Sequence, residues 1–124
     1  MDNRKIELEY IVNTSPKVLF NRLSTPGGLA EWFADDVNLK GKVFTFVWEN
    51  SEQKAEILQK KDLKFIRFRW VGDEEDYFEF HLRQIELTGD LALIVTDFAD
   101  EEEKESTIEL WNSQIADLKR AIGL

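Results

Sequence analysis

Two side chains in this sequence could serve as a general base, and both lie in predicted strands. His81, the only histidine, alternates with the apolar residues of YFEFHLRQIEL and falls on the polar face of that strand. Asp97 follows the apolar run LALIVT, where burial would raise the pKa of its carboxyl group and suit it for proton transfer. Each residue also has a structural interpretation, His81 as a solvated strand residue and Asp97 as a strand end. We favour the structural interpretation for both and predict no catalytic residue.

Other chemistry is limited by what the sequence lacks. It has no G-x-S-x-G, HExxH or Walker motif, and without cysteine it has no thiolate nucleophile, disulfide or thiolate zinc ligand. The acidic runs 73–76 and 100–103 lack the spacing of an EF-hand loop, so we interpret them as a solvated turn and a charged helix start. Gly27 and Gly28 follow no strand directly and precede no Lys-Ser/Thr, which favours an architectural turn over a phosphate site. We predict no metal and no cofactor.

Aromatic side chains are the most informative functional feature. The four Trp, two Tyr and nine Phe exceed what a minimal core needs and leave enough for an aromatic pocket. A tryptophan in a core needs a partner for its indole N–H, which a ligand or water in a pocket would supply. For Trp48, Trp70 and Trp111 we keep both interpretations open, core and pocket wall. The predicted lining of a ligand-binding cavity is Phe46, Trp48, Phe68, Trp70, Phe80, Trp111 and Ile115.

The charge balance restricts the partners of the chain. With 16 Lys and Arg against 25 Asp and Glu, the formal net charge is −9, and the basic residues form no stripe. Nucleic acid and anionic membrane surfaces are therefore not expected as partners. No apolar run approaches the roughly 20 residues of a membrane span, and the start has no apolar signal core, so we predict a cytoplasmic protein. The length of 124 residues predicts a single domain over 1–124.

The first third of the chain predicts one strand and two short helices. Apolar and charged residues alternate over 5–12, as in a half-buried strand. Ser15–Pro16 and Thr25–Pro26 each place a capping side chain before a proline at the first helical position. Because Gly27–Gly28 are poor helix formers, the second helix must be short and depend on the packing of Trp32–Phe33.

The middle of the chain predicts an antiparallel sheet. Six strand candidates follow one another with short turns: DDVNL (35–39), KVFTFVWE (42–49), EQKAEILQK (52–60), LKFIRFRW (63–70), YFEFHLRQIEL (77–87) and LALIVTDF (91–98). Residues 88–90 read as a hairpin turn. The last strand is apolar on both faces, which is typical of a strand inside a sheet. Consecutive strands with short connections pair antiparallel.

The final segment predicts a helix of about five turns. Its apolar stripe consists of Ile108, Trp111, Ile115, Leu118 and Ile122. Two pairs have the spacing of a capping box at its start, Asp100 with Glu103 and Ser106 with Glu109, and Gly123 is placed to end it. A single helix with one apolar stripe must lie on the sheet, and a sheet curved around it leaves room for a cavity.

Three segments give the chain a family resemblance: SPKVLFNRLSTPGGLAEWF (15–33), GKVFTFVW (41–48) and IVTDFADEEE…LWNSQIADLKRAIG (94–123). With this order of elements, the chain resembles the START-like superfamily, in particular the C-terminal domain of the Hsp90 ATPase activator and small stand-alone bacterial START-like proteins. The resemblance implies an α+β helix-grip fold, in which six to seven curved antiparallel strands wrap around the C-terminal helix. The two short helices would form a clasp that meets this helix.

The resemblance and the aromatic residues together favour one function over two others. We predict a non-catalytic binding module for a hydrophobic small molecule, such as a lipid, isoprenoid or polyketide-like compound. The alternative is a protein partner, as for a chaperone co-factor. The sequence shows neither the second domain nor the N-terminal motif of the full activator, so ATPase activation is not expected. A cyclase or hydrolase ranks third because catalytic groups are scarce.

Overall fold

A seven-stranded antiparallel sheet curves around one long helix in the computed structural model, which describes residues 4–124. The strands are β1 (Lys5–Ile11), β2 (Asp36–Lys40), β3 (Val43–Trp48), β4 (Ser51–Lys61), β5 (Phe65–Trp70), β6 (Phe78–Gln84) and β7 (Leu91–Phe98). Their spatial order is β1-β7-β6-β5-β4-β3-β2. Both the predicted helix-grip fold and the α+β class are confirmed.

The order of strands in the sheet is the same as their order in the sequence except at the edge formed by β1. Strands β2 to β7 pair with their neighbours in sequence, as short hairpin connections require, while β1 pairs with β7 and places Leu8 opposite Val95. Because each pairing is antiparallel, alternate strands run in the same direction. The carboxyl ends of β3, β5 and β7 therefore lie at one end of the sheet.

The two short helices begin as the sequence predicts. Helix α1 (Pro16–Ser24) and helix α2 (Pro26–Leu29) each have proline at the first position. The Ser15 hydroxyl accepts the N–H of Val18 at 3.1 Å, and the Thr25 hydroxyl accepts the N–H of Gly28 at 2.9 Å. The glycine pair therefore lies in a capped architectural turn of helix.

Helix α3 (Lys104–Ile122) confirms the predicted length, but its start differs from the prediction. A 3-10 turn at Glu101–Glu103 precedes it. Neither Asp100, before this turn, nor Glu103, before α3, makes a side-chain capping hydrogen bond. The Asp100 carboxylate instead accepts the Arg4 Nε–H at 2.9 Å, and the Ser106 hydroxyl donates to the Glu103 carbonyl at 3.0 Å, so neither predicted capping box forms. Gly123, with φ of 92°, ends the helix as predicted. Within residues 4–124, no helix combines the length and apolar character of a membrane span.

The inner face of the sheet and the stripe of α3 enclose the core. Trp111, Ile115 and Leu118 of the stripe are buried against the sheet. The outer face carries the polar residues, where Arg67 pairs with Glu79 at 2.9 Å across β5 and β6. His81 is on this outer face too, half-buried and stacked on Phe65 with ring centroids 5.9 Å apart.

Candidate functional site

A cavity of about 380 Å³ lies between α3 and the end of the sheet where β3, β5 and β7 finish. Five of its eleven lining residues are aromatic: Phe33, Trp48, Trp70, Phe78 and Trp111. Polar side chains from β4 and α3 also line it: Ser51, Gln53, Thr107 and Gln114. Asp97 contributes the ionisable group of the lining, and Leu110 completes it. The site thus combines an aromatic wall with one carboxylate.

Strand direction explains why these side chains meet. Trp48 is the last residue of β3 and Trp70 the last of β5, and the inward alternation of each strand points both indoles at α3. Phe78 begins β6, which runs in the opposite direction and so starts at the same end of the sheet. Trp111 is the first buried residue of α3, whose start follows β7 closely. Phe33 follows α2 and approaches the same place from the clasp.

The five aromatic rings form a closed circuit. Successive centroids are 4.9–6.5 Å apart in the order Phe33, Trp48, Trp70, Phe78, Trp111 and back to Phe33. These distances are those of favourable stacked and edge-to-face pairs. Phe33, Phe78 and Trp111 are buried, whereas Trp48 and Trp70 are half-buried. The two β-strand tryptophans therefore stand towards the mouth of the cavity.

The three tryptophans of the cavity wall, Trp48, Trp70 and Trp111, differ in the hydrogen bonds of their indole N–H groups. The Trp48 indole N–H donates to the Phe33 carbonyl at 3.0 Å, and the Trp111 indole N–H donates to the Asp97 carboxylate at 2.8 Å. The Trp70 indole N–H finds no acceptor among residues 4–124. Of these three indole N–H groups, only that of Trp70 therefore matches the expectation that a ligand or water supplies the hydrogen-bond acceptor.

Asp97 occupies the inward position of β7 that follows Leu91, Leu93 and Val95. One of its oxygens accepts the Trp111 indole N–H, and the other accepts the backbone N–H of Phe98 at 2.8 Å. Burial raises the pKa of the Asp97 carboxyl above its usual value, while these two hydrogen bonds pull it down. Asp97 forms no ion pair with any residue of the described chain. Asp97 is not the strand end favoured from the sequence, because it pairs with Ile6 and β7 continues to Phe98. Its carboxylate lines the cavity.

The residues predicted to line a cavity fall into two groups. Trp48, Trp70 and Trp111 are brought together in its wall. The remaining four pack in the closed core behind it, with exposures of 0% or 1%: Phe46, Phe68, Phe80 and Ile115. They support the wall without reaching the cavity, because each lies nearer the middle of its strand or helix.

Eight lining residues were absent from the predicted set, among them Phe33, Phe78 and Asp97. Phe78 and Asp97 share a signal that the sequence does carry, since both are inward residues at a strand end on the same side as Trp48 and Trp70. Phe33 has no such signal because its position depends on how α2 docks. His81 and Asp97 do not approach one another, because His81 lies on the outer face of β6 and Asp97 on the inner face of β7.

An open groove of about 740 Å³ adjoins the cavity along α3. The two spaces share four lining residues: Phe33, Trp48, Leu110 and Gln114. The far side of the groove carries three carboxylates, those of Glu31, Asp35 and Asp117. An elongated molecule in the cavity could therefore continue along α3.

A curved antiparallel sheet wrapped around one long helix defines the helix-grip class of folds. Within that class, the chain belongs to the START-like superfamily, whose domain model matches residues 1–124. This confirms the resemblance predicted from the sequence. No match was found among curated proteins.

Solved structures agree with this assignment. BfR322 from Bacteroides fragilis is 42% identical, with 100% of this chain and 94% of that chain covered and a TM-score of 0.70. The Aha1 dimer from Colwellia psychrerythraea is 16% identical, with 94% of each chain covered and a TM-score of 0.79. DynU16, a protein of the dynemicin biosynthetic locus, is 16% identical over 97% of this chain and 47% of its own, with a TM-score of 0.82. The last two show a likeness of fold alone.

Proposed function

We propose that this protein is a non-catalytic binding module that holds a hydrophobic small molecule in the cavity between sheet and α3. A lipid, an isoprenoid and a polyketide-like compound all fit this description. The observation that carries the proposal is a space of about 380 Å³ that five aromatic side chains help to line. Specific small-molecule sites are mostly apolar clefts of about 300–1,000 Å³ with a few placed polar groups.

The state of the wall also supports a ligand. Trp48 and Trp70 pack on neighbouring aromatic rings but are only half-buried, so part of each indole remains in contact with solvent beside the cavity. Covering such surface is favourable by about 25 cal/mol per Å². The unpaired indole N–H of Trp70 offers a hydrogen-bond donor to a polar group of the ligand. Both features favour an occupied cavity over an empty one.

An enzymatic role receives less support from the site. Its lining contains one ionisable residue, Asp97, and the histidine of the chain lies on the opposite face of the sheet. Acid–base catalysis by a pair of groups therefore has no second partner in this cavity. Binding alone uses every feature of the wall described above.

A protein-interaction role is the second candidate. Leu110 on α3 is 58% exposed at the junction of cavity and groove, where an apolar side chain of a partner could contact it. The fold likeness to Aha1 is consistent with this alternative. The cytoplasmic location expected from the sequence is part of either proposal.

Fluorescence titration with N-phenyl-1-naphthylamine, an uncharged aromatic probe, tests the leading proposal. We expect saturable binding that Trp70→Ala weakens about tenfold or more, equivalent to about 1.4 kcal/mol or roughly 60 Å² of apolar contact. Phe65→Ala is the matched control, because Phe65 lies on the outer face of the same strand. It should bind the probe as the parent does.

Native mass spectrometry of the purified protein, followed by extraction under denaturing conditions, complements the titration. A stoichiometric apolar compound would support the proposal and identify the ligand class. Absence of saturable probe binding, or an equal loss in both variants, would contradict it. A co-purifying protein whose binding ignores Trp70→Ala but is lost in Leu110→Glu would favour the second candidate.

A further inference from the structure

We propose that the molecule bound in this cavity carries a positively charged ammonium group, which Asp97 and the surrounding tryptophans hold together. The inference rests on the proposed function and narrows it to amphiphilic organic cations. Four observations support it: the charge of the lining, the type of aromatic wall, the remaining acceptor capacity of Asp97, and the charge around the cavity.

The charge of the lining has one sign. Asp97 is the single acidic residue among the lining side chains, and no Lys, Arg or His of the described chain lines the cavity. Asp97 also has no ion-pair partner among residues 4–124. A ligand with a carboxylate or phosphate would therefore bring a second negative charge beside a partly buried one, which is unfavourable. A cation would supply the missing counter-charge.

The aromatic wall suits a cation as well as an apolar body. A positive group is attracted to the face of an aromatic ring within about 6 Å of its centroid, and tryptophan gives the strongest attraction. Trp48 and Trp70 have centroids 6.5 Å apart at an interplanar angle of 52°, so the two rings are not stacked on each other. Trp111 completes the set of three indoles around the cavity. A space lined by several indoles and a carboxylate has the chemistry of a cage for an organic ammonium.

The Asp97 carboxylate is fixed in place and keeps capacity to accept more. One oxygen is held by the Trp111 indole N–H and the other by the Phe98 backbone N–H, both at 2.8 Å. An ionised carboxylate offers about four acceptor sites, so about two remain for a ligand. Burial raises the pKa of this carboxyl, and the nearby charge of Asp76 adds to that rise. An ammonium group beside Asp97 would favour its charged form.

The surroundings of the cavity have the same sign. The adjoining groove carries the carboxylates of Glu31, Asp35 and Asp117. Glu31 pairs with Arg22 at 2.6 Å and Asp117 pairs with Arg120, so Asp35 is the groove carboxylate with no ion pair among residues 4–124. The chain as a whole has a net charge of −9. A negative potential around an opening concentrates cations there and repels anions.

A series of three probes of nearly equal size and different charge tests the inference: 2-phenylethylamine, 2-phenylethanol and phenylacetate. Binding is followed by tryptophan fluorescence and by NMR shifts, with each probe up to 20 mM, about the upper limit for a weak ligand of this size. We expect the amine to bind at least about tenfold more tightly than the alcohol, and phenylacetate to bind most weakly.

Two variants locate the preference. Asp97→Asn should reduce the ratio of amine to alcohol affinity to below about threefold, since the amide is uncharged. Glu105→Gln is the control, because it removes one negative charge from an exposed position on the first turn of α3. It should leave the ratio unchanged. The comparison of probes in the parent protein stands even where Asp97→Asn folds poorly.

The outcomes separate this inference from the proposed function. If the alcohol binds as tightly as the amine and Trp70→Ala weakens both, the binding module stands and the inference is overturned. If none of the three probes binds, and N-phenyl-1-naphthylamine does not bind either, both are overturned. An amine preference that survives Asp97→Asn but disappears in Glu105→Gln would assign the effect to surface charge and would also overturn the inference.

Discussion

Replacing Gly28 by alanine should separate the two short helices and lower stability strongly. A Cβ atom at Gly28 would lie 2.1 Å from the carbonyl oxygen of Asn21 and 2.7 Å from the Cα of Arg22. Both are backbone atoms of α1, so no side-chain rotation relieves the clash. The Asn21 carbonyl also accepts the Thr25 hydroxyl at 2.8 Å, which ties the end of α1 to the cap of α2.

The magnitude follows from this geometry. Moving the backbones apart by about 1 Å costs about 1–3 kcal/mol as overpacking, and losing the Asn21–Thr25 hydrogen bond adds about 1 kcal/mol. We therefore expect Gly28→Ala to reduce the free energy of unfolding by about 2–4 kcal/mol. In a domain of this size, that corresponds to a fall in Tm of roughly 8–15 °C.

The neighbouring glycine provides a matched control. A Cβ atom at Gly27 meets nothing within 4 Å, and its backbone is helical. Gly27→Ala should therefore raise stability by up to about 1 kcal/mol, because alanine favours helix and restricts the unfolded chain. Thermal and urea unfolding of the two variants measure the contrast. Equal effects, or a stable Gly28→Ala protein, would refute the close approach of α1 and α2.

Two further predictions concern other positions. Burial raises the native pKa of Asp97 above its ordinary value of 3.8, so the native state holds this proton more tightly than the unfolded state does. The free energy of unfolding should therefore fall as pH rises from about 3.8 through the native pKa. Urea unfolding across this range should show a smaller fall in Asp97→Asn, and an identical pH profile would contradict the burial of this carboxyl. At the end of α3, Gly123 has a φ of 92°, so Gly123→Ala should lower stability by about 1 kcal/mol and Gly123→Asn by less. Thermal unfolding should therefore show a larger fall in Tm for the alanine variant than for the asparagine variant. A Gly123→Ala protein of unchanged stability would contradict the left-handed cap.

The fold was predictable because its elements carry strong periodic signals. The alternation over 5–12 and the paired cap and proline at Ser15–Pro16 and Thr25–Pro26 each match one element of the structure. The stripe of α3 repeats every three or four residues over its whole length. Local capping was less predictable, since Asp100 is drawn into an ion pair with Arg4, far away in sequence. A contact between residues 96 positions apart cannot be seen by a rule based on a three-residue spacing.

The candidate site was predictable only in part, because alternation gives the face of a residue but not its depth. Phe46 and Trp48 share the inner face of β3, yet Phe46 is fully buried and Trp48 borders the cavity. The same difference separates Phe68 from Trp70 on β5. Whether an inward residue belongs to the core or to the cavity wall depends on its distance from the strand end and on how far α3 covers the sheet. The sequence alone does not show how far along each strand the helix extends.

The direction of the strands shows which inward residues meet at the cavity end of the sheet. In a sheet of consecutive antiparallel strands, the inward residues at the carboxyl ends of alternate strands converge at one end. Here those residues are Trp48 on β3, Trp70 on β5 and Asp97 on β7, and they meet where α3 begins. The rule identifies Asp97 as a site residue for the same reason as the two tryptophans. The Asp97 carboxylate accepts hydrogen bonds from Trp111 and Phe98 but has no ion pair among residues 4–124. A partly buried charge without a counter-charge is costly, and this is the reason why we propose a cationic ligand for the site.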